Sequence, residues 1–413
     1  QVHGLKTVFR LKNLIFVMLQ TGSDHINIMK TILLILLITL GYSVAAQPGK
    51  TYLFVGTYTD GKPDKGIYIY EFNSSTGNLK KVFSGQNITN PSFLTLSPNG
   101  EYLYACTDTK LPEEGSVSAF KIDSVNGSIK FLNKQKSGGE NPVYLTTSRN
   151  NEFVINGNYT EGTVSVFKTN PDGSLRPSSQ IIQFQGNGPN IRRQDKAHIH
   201  ATVFSPDYEY MFFPDLGADK IRAFKFNSQD DQPLKPVVNY DYTTVPGSGP
   251  RQFTFHPTNN FAYCIEELSG TISCFNYENG KLDSIQRIFS YSKFQEEYNS
   301  ADIHISPDGL FLYASNRWDN ENTISIFSIN KDNGLLTLVG HQSTYGDHPR
   351  NFTLDPTGNF LIVANQVTNN IVVFKRDLKT GLLTRTGKEI KVPSPSCLKM
   401  RNYDRQKRRF GKK

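Results

Sequence analysis

The chain has 413 residues and a formal net charge of +8, from 45 Lys and Arg against 37 Asp and Glu. Residues 1–46 carry +3 of this and residues 401–413 carry +6, which leaves the body between them at −1. A nearly neutral body excludes a broad basic surface, so no nucleic-acid partner is expected.

At the N-terminal end, Lys30 precedes an apolar run from Ile32 to Leu40, and Ala45 and Ala46 lead into Gln47. A positive start, a short apolar core and small residues before a cleavage point predict a signal peptide over residues 29–46. The run is too short to span a bilayer. The expected location is periplasmic or secreted, with no stable membrane span after cleavage; without export it would be cytoplasmic. Residues 1–28, ahead of Met29, read as a non-native or upstream segment. Cys106, Cys264, Cys274 and Cys397 show no CxxC spacing and read as buried free thiols. Only Cys264 and Cys274, flanking a turn near Ser269 and Gly270, are spaced to oppose each other across a hairpin.

From residue 47 to 400 one module repeats. Its anchor residues, the second of each opening, are Pro91, Pro142, Ile199, Pro250, Ala301 and Pro349, 48 to 57 residues apart. A tight turn follows, as at Ser97-Pro98-Asn99-Gly100 and Ser306-Pro307-Asp308-Gly309. Pro pre-sets the first turn dihedral, and Gly supplies a positive φ near the end. Three short β-branched and aromatic runs complete each unit. Four strands per roughly fifty residues describe a propeller blade. These units make six blades. Three strands before residue 90 and one after residue 394 complete a seventh, so the fold class is all-β, a seven-bladed β-propeller closed by its C-terminal strand. The 28 Phe and 20 Tyr beside 1 Trp agree with pleated packing. Residues 401–413 read as a basic tail.

The repeat also exposes a rim. The residue after each anchor is Ser92, Val143, His200, Arg251, Asp302, Arg350 and Ser396, and four consecutive blades carry ionisable groups there. The second strand ends at Tyr58, Asp108, Tyr159, Leu216, Glu267, Arg317 and Gln366, each preceded by a polar residue such as Asn158 or Asn316. One mouth of the channel should therefore gather His200, Arg251, Glu267, Asp302, Arg317 and Arg350. Three guanidiniums beside carboxylates and an imidazole suit a small anionic, oxygen-rich ligand, and His serves as a general base near neutral pH. The plainer reading is a set of ion pairs that satisfy one another. His198 reads as a helper of His200, His304 as core or function, and His256 and His348 as structural. Asn158, Asp215, Glu266, Asn316 and Asn365 are hard oxygen donors, but Asn and Asp favour strand-end turns on their own account, so no metal and no cofactor are expected.

The segments Gly56-Thr57-Tyr58-Thr59, His198-x-His200, Asp215-Leu216-Gly217, Gly249-Pro250-Arg251, Glu267-Leu268, Ser315-Asn316-Arg317 and Ala364-Asn365-Gln366 carry a resemblance. Over residues 51–400 the chain resembles the seven-bladed propeller lactonase family. That family includes the propeller-type bacterial 6-phosphogluconolactonase and the fungal carboxymuconate-lactonising enzyme. The resemblance implies hydrolysis of a sugar lactone, with catalytic residues at His200, Arg251, Glu267 and Arg317. His200 would activate water, and Arg251 and Arg317 would stabilise the oxyanion or hold an anionic group. His198, Asp302, Arg350, Asn158, Asn316 and Gln366 would complete substrate binding, with Arg350 suited to phosphate. The partner expected is a small-molecule lactone; oligomeric state is not legible. Two alternatives stay open: a lactonising or isomerising enzyme on an unsaturated dicarboxylate, and a non-catalytic secreted carbohydrate- or protein-binding propeller.

Overall fold

The β-branched and aromatic runs, each closed by a Pro- and Gly-bearing turn, pair as antiparallel strands in seven sheets among the described residues. The computed structural model of the chain describes residues 49–60, 65–85, 87–318 and 321–403, and Lys50–Tyr403 forms one compact unit. The expected signal peptide, the segment ahead of it and the chain beyond residue 403 lie outside the described residues. Among the described residues no helix is long and apolar enough to cross a membrane.

Blade 1 takes the C-terminal strand Pro395–Tyr403 as its innermost, followed by Lys50–Thr57, Ile67–Phe72 and Leu79–Ser84. Blades 2 to 7 begin on Phe93–Leu96, Pro142–Thr147, Val203–Phe204, Pro250–Phe255, Ser300–Ile305 and Pro349–Leu354. In blade 4 two short segments, Leu234–Pro236 and Tyr242–Thr243, share the outer position along Lys220–Phe226. The repeated turns have a common physical basis. Ser97, Ser205 and Ser306 accept through Oγ from the amides of Tyr102, Tyr210 and Phe311 at 2.9 to 3.0 Å, and Asp355 accepts from Phe360 N at 2.8 Å. A short polar side chain here closes the turn into the second strand.

Apolar side chains pack between blades rather than into one central core. One buried layer joins Leu53, Val55 and Leu398 of blade 1 to Ile362 and Val373 of blade 7, so the ring closes on hydrophobic contact as well as on hydrogen bonds. Tyrosines staple successive blades: Tyr104, Tyr263 and Tyr313 donate to the carbonyls of Gly173, Gly334 and Gly381 in the next blade at 3.1, 2.8 and 2.8 Å. Each such bond contributes about 1 kcal/mol. The four cysteines are free and buried. Cys264 faces Ser273 and Cys274 faces Tyr263, so the two thiols do not oppose each other.

The closing strand runs further than the sequence indicated. Arg401 belongs to it, opposite Tyr52, and donates to the carbonyls of Ser97 and Pro98 at 3.3 and 2.7 Å. The closing strand therefore extends to Tyr403. A chain ending at Ser394 leaves the edge of Lys50–Thr57 unpaired. It is expected to lose its cooperative thermal transition and to aggregate, measured by circular dichroism and light scattering; an unchanged melt would contradict closure by this strand.

Candidate active site

Outside blade 4, neighbouring inner strands touch around the ring, and the first residues of the inner strands encircle one mouth of the channel, where the antiparallel second strands end. Pairing slips by one residue at that mouth. Pro142 faces Asn158 but Tyr144 faces Gly157; Pro250 faces Glu266 but Gln252 faces Ile265; Pro349 faces Asn365 but Asn351 faces Ala364. The extra residues Val143, Arg251 and Arg350 are bulges, which re-aim side chains at a sheet rim. The residue ahead of each Pro is left-handed, with φ of 58° at Asn141, 63° at Gly249 and 62° at His348. Asn and Gly accept that conformation readily, which accounts for the recurring Asn-Pro and Gly-Pro openings.

Blade 5 sends Glu267 into this mouth, where it is 2% exposed. Arg251 Nε lies 2.6 Å and Arg317 Nη2 3.2 Å from Oε2, while Arg193 Nη2 lies 2.5 Å from Oε1. Burial by itself would raise the Glu267 carboxyl. Arg317, Arg193 and Arg251, with His200 beside them, outweigh that and hold it well below the usual carboxylate range. Burial lowers Arg251 and Arg317 against the pull of Glu267, and neighbouring guanidiniums add to the effect. Arg193, on the rim with its side chain 37% exposed, is raised by Glu267. All three stay protonated at neutral pH.

The guanidiniums are held in turn. Arg251 donates through Nη1 to the Ala301 carbonyl and lies behind Glu267, outside the cavity lining. Arg317 donates from Nε to Asn299 O at 3.2 Å, from Nη2 to Asn299 Oδ1 at 2.8 Å, and from Nη1 to His348 Nε2 at 2.8 Å. Burial, then Arg317, Arg350 and Arg251, push His348 down to about 2, so its neutral ring accepts that bond. One Nη1 hydrogen of Arg317 remains uncommitted among the described residues.

His200 Nε2 stands 4.0 Å from Glu267 Oε2, and its buried Nδ1 has no hydrogen-bond partner. Burial first, then Arg251 and Arg350, set its pKa well below the ordinary imidazole value against the opposing pull of Glu267. The ring is neutral at neutral pH. Tyr159 meets His200 edge-on at 5.3 Å and stacks on His198 at 4.5 Å. Both ring nitrogens of His198 are committed, to Tyr159 O at 2.9 Å and Asp195 Oδ1 at 3.0 Å. His198 thus fixes Tyr159 and does not line the cavity. The Asp215-Leu216-Gly217 segment seats this strand. Asp215 Oδ1 accepts from His198 N at 2.8 Å, and a Cβ on Gly217 would run into the Lys196 carbonyl and the His198 backbone.

The cavity has a volume of about 390 Å³ and is lined by His200, Glu267, Arg317, Arg350 and Gln366 of the predicted set. Arg193 and His348 also line it. His348 reads from the sequence as structural because it lies at a strand start. Arg193 lies on the connection between blades 3 and 4, and the available signal was the longest anchor spacing, 57 residues.

Besides His198, three further predicted binding residues do not line this mouth. Ser300 faces Asn316 just as Pro250 faces Glu266, so Ala301, not Asp302, occupies the position of Arg251. Asp302 faces a separate cavity further along the channel, where its Oδ2 accepts from His304 Nε2 at 2.9 Å and Asn351 Nδ2 at 2.5 Å. Asn158 and Asn316 are buried inside their blades. Asn158 donates to Ser137 O at 3.0 Å, and Asn316 donates to Ser290 O at 2.9 Å. Their amides tie strands together and are not offered to a ligand. Glu266 is likewise held by Ser273, Thr271 and Arg287, and no cluster of metal-binding side chains occurs among the described residues. His256 is structural, its Nε2 bonded to Gly309 O at 2.9 Å.

Comparisons with known proteins agree with this architecture. Residues 52–400 match the family described as "Lactonase, 7-bladed beta-propeller". A 6-phosphogluconolactonase of Formosa agariphila is 45% identical over 351 residues, covering 85% of this chain and 99% of its own. The crystal structure of a putative 6-phosphogluconolactonase from Bacteroides fragilis superposes with a TM-score of 0.81 at 40% identity, over 86% of this chain and 98% of that one. The periplasmic gluconolactonase of Pseudomonas aeruginosa superposes with a TM-score of 0.80 at 32% identity, over 85% and 99% of the two chains. The ring, its rim and these likenesses together place the chain in the seven-bladed β-propeller lactonase family.

Proposed function

We propose that the chain hydrolyses a sugar lactone to the aldonic acid at this mouth. The observation that carries the reading is a buried carboxylate compensated by three guanidiniums beside a neutral imidazole, lining an open cavity in a lactonase propeller. Relatives named 6-phosphogluconolactonase and periplasmic gluconolactonase support the reaction class. The latter, with the apolar segment near the N-terminus, supports a periplasmic or secreted location.

In this reading His200 takes a proton from a water as the water oxygen attacks the lactone carbonyl carbon. The uncommitted Nη1 hydrogen of Arg317 donates to the oxyanion that forms. Collapse of the tetrahedral intermediate breaks the ring C–O bond, and the imidazolium returns its proton to the departing ring oxygen, which leaves as a hydroxyl. Glu267 stabilises the transient imidazolium and keeps Arg317 and Arg193 aimed at the cavity. Arg251 is a positioning residue that acts through Glu267. The low basicity of His200 rises when an anionic substrate offsets the surrounding cations.

His200→Ala should lower kcat/KM on δ-gluconolactone by about 100-fold or more with little change in melting temperature; activity within tenfold of wild type would exclude His200 as the base. The base form is the neutral imidazole, and its pKa is depressed. Activity should therefore hold as pH falls through about 6.5, the ordinary imidazole value, and decline only below it. Removing Arg251 removes the main charge that depresses His200, so Arg251→Gln should move this acid limb to higher pH. A pH-rate profile of both proteins checks this; an unshifted limb would contradict the positioning role.

A further inference from the structure

Away from the Glu267 mouth, the inner strands present alternate side chains to the second cavity, which has a volume of about 390 Å³ and reaches the turns at Pro206 and Pro257. Gln252 lines it while only 6% exposed, and its amide has no hydrogen-bond partner among the described residues. Thr146 on blade 3 and Thr254 on blade 5 add hydroxyls that no other described residue engages. Lys399, on the closing strand, forms no ion pair among the described residues. Its Nζ lies 4.7 Å from the ring centroid of Phe93, which stacks on Tyr144 at 4.2 Å. His304 gives its Nε2 hydrogen to Asp302, so Nδ1 is left to accept one, on a side chain 32% exposed in the cavity wall. Asp302 is already saturated, since Asn351 Nδ2 and the amides of Ile303 and Phe352 also donate to it.

We propose that this cavity is a second ligand site, separate from the reacting mouth, and that it takes a monosaccharide in ring form bearing one carboxylate. The ammonium of Lys399 matches a single negative charge, and the Asp302 carboxylate repels a second. The amide of Gln252 and the hydroxyls of Thr146 and Thr254 both donate and accept, and His304 Nδ1 accepts. That mixture suits sugar hydroxyls, which do both. The rings of Phe93 and Tyr144 offer an apolar surface to the C–H face of a pyranose, and the volume is ordinary for a small-molecule site. Asn351 links the two ends of this wall, donating to Asp302 and accepting from Leu398 N at 2.6 Å. Blades 6, 7 and 1 therefore meet at the cavity, and a ligand bridging His304 and Lys399 braces the closure of the ring. The site does not depend on lactone hydrolysis at the Glu267 mouth.

Calorimetry and thermal melts of the full chain with glucuronate, glucose and cyclohexanecarboxylate test this. Glucuronate should bind and raise the melting temperature. Glucose lacks the charge and cyclohexanecarboxylate lacks the hydroxyls, so each should bind about 10-fold more weakly or worse. Lys399→Met and Gln252→Leu should each weaken glucuronate binding by about 5- to 10-fold or more, and Lys399→Arg should retain most of the affinity. His200→Ala, in the other cavity, should bind glucuronate as wild type does. No glucuronate binding by wild type at millimolar concentration would overturn the site, as would an affinity untouched by Lys399→Met and Gln252→Leu. Glucose bound as tightly as glucuronate would overturn the assignment of the carboxylate, and tighter binding of cyclohexanecarboxylate would overturn the assignment to a sugar.

Discussion

A single buried carboxylate organises the mouth of this propeller. Taking Glu267 out of water is expensive, and the expense is offset only because three guanidiniums from separate parts of the chain converge on it. Each of those cations is secured by something else: Arg251 by the Ala301 carbonyl, Arg317 by Asn299 and His348, and Arg193 by the connection that carries it over the rim. The carboxylate and its partners therefore specify one another's positions. With the compensation incomplete, an uncompensated charge would remain in a low-dielectric site, a far larger penalty than the loss of a surface ion pair.

The ring makes this convergence possible. Residues hundreds of positions apart are brought together because the blades present the same two strand ends to the same opening, and bulges in the inner strands of blades 3, 5 and 7 each add one extra residue at it. The stability of the fold and the chemistry of the site occupy different layers. Apolar packing and tyrosine staples lie between and outside the second strands. The bulges shift the pairing of inner and second strands only at the rim. This division lets the mouth hold an excess of positive charge without weakening the sheets beneath it.

Much of this was legible in the sequence because the protein repeats. Seven copies of one unit gave the blade count, the closing strand and the positions that face the mouth, so His200, Glu267, Arg317 and Arg350 could be placed together. The frame failed where a blade lacked its marker. Blade 6 opens with Asn299-Ser300-Ala301 instead of residue-Pro-Arg, and without the Pro the alignment slipped by one residue and selected Asp302. Asn158 and Asn316 misled for another reason. They end strands at the rim, but their amides turn into the blade to satisfy backbone carbonyls, which composition cannot reveal. Arg193 lies in an insertion that no other unit matches.

The central claim is that the lactone reacts at the Glu267 mouth and not in the second cavity further along the channel. A crystal structure with a non-hydrolysable lactam analogue of the sugar lactone tests it most directly. The account predicts the lactam oxygen within about 3 Å of Arg317 Nη1, with the His200 imidazole facing the carbonyl carbon. An analogue seated instead among Gln252, His304 and Lys399, with the Glu267 cluster unchanged and empty, would contradict it.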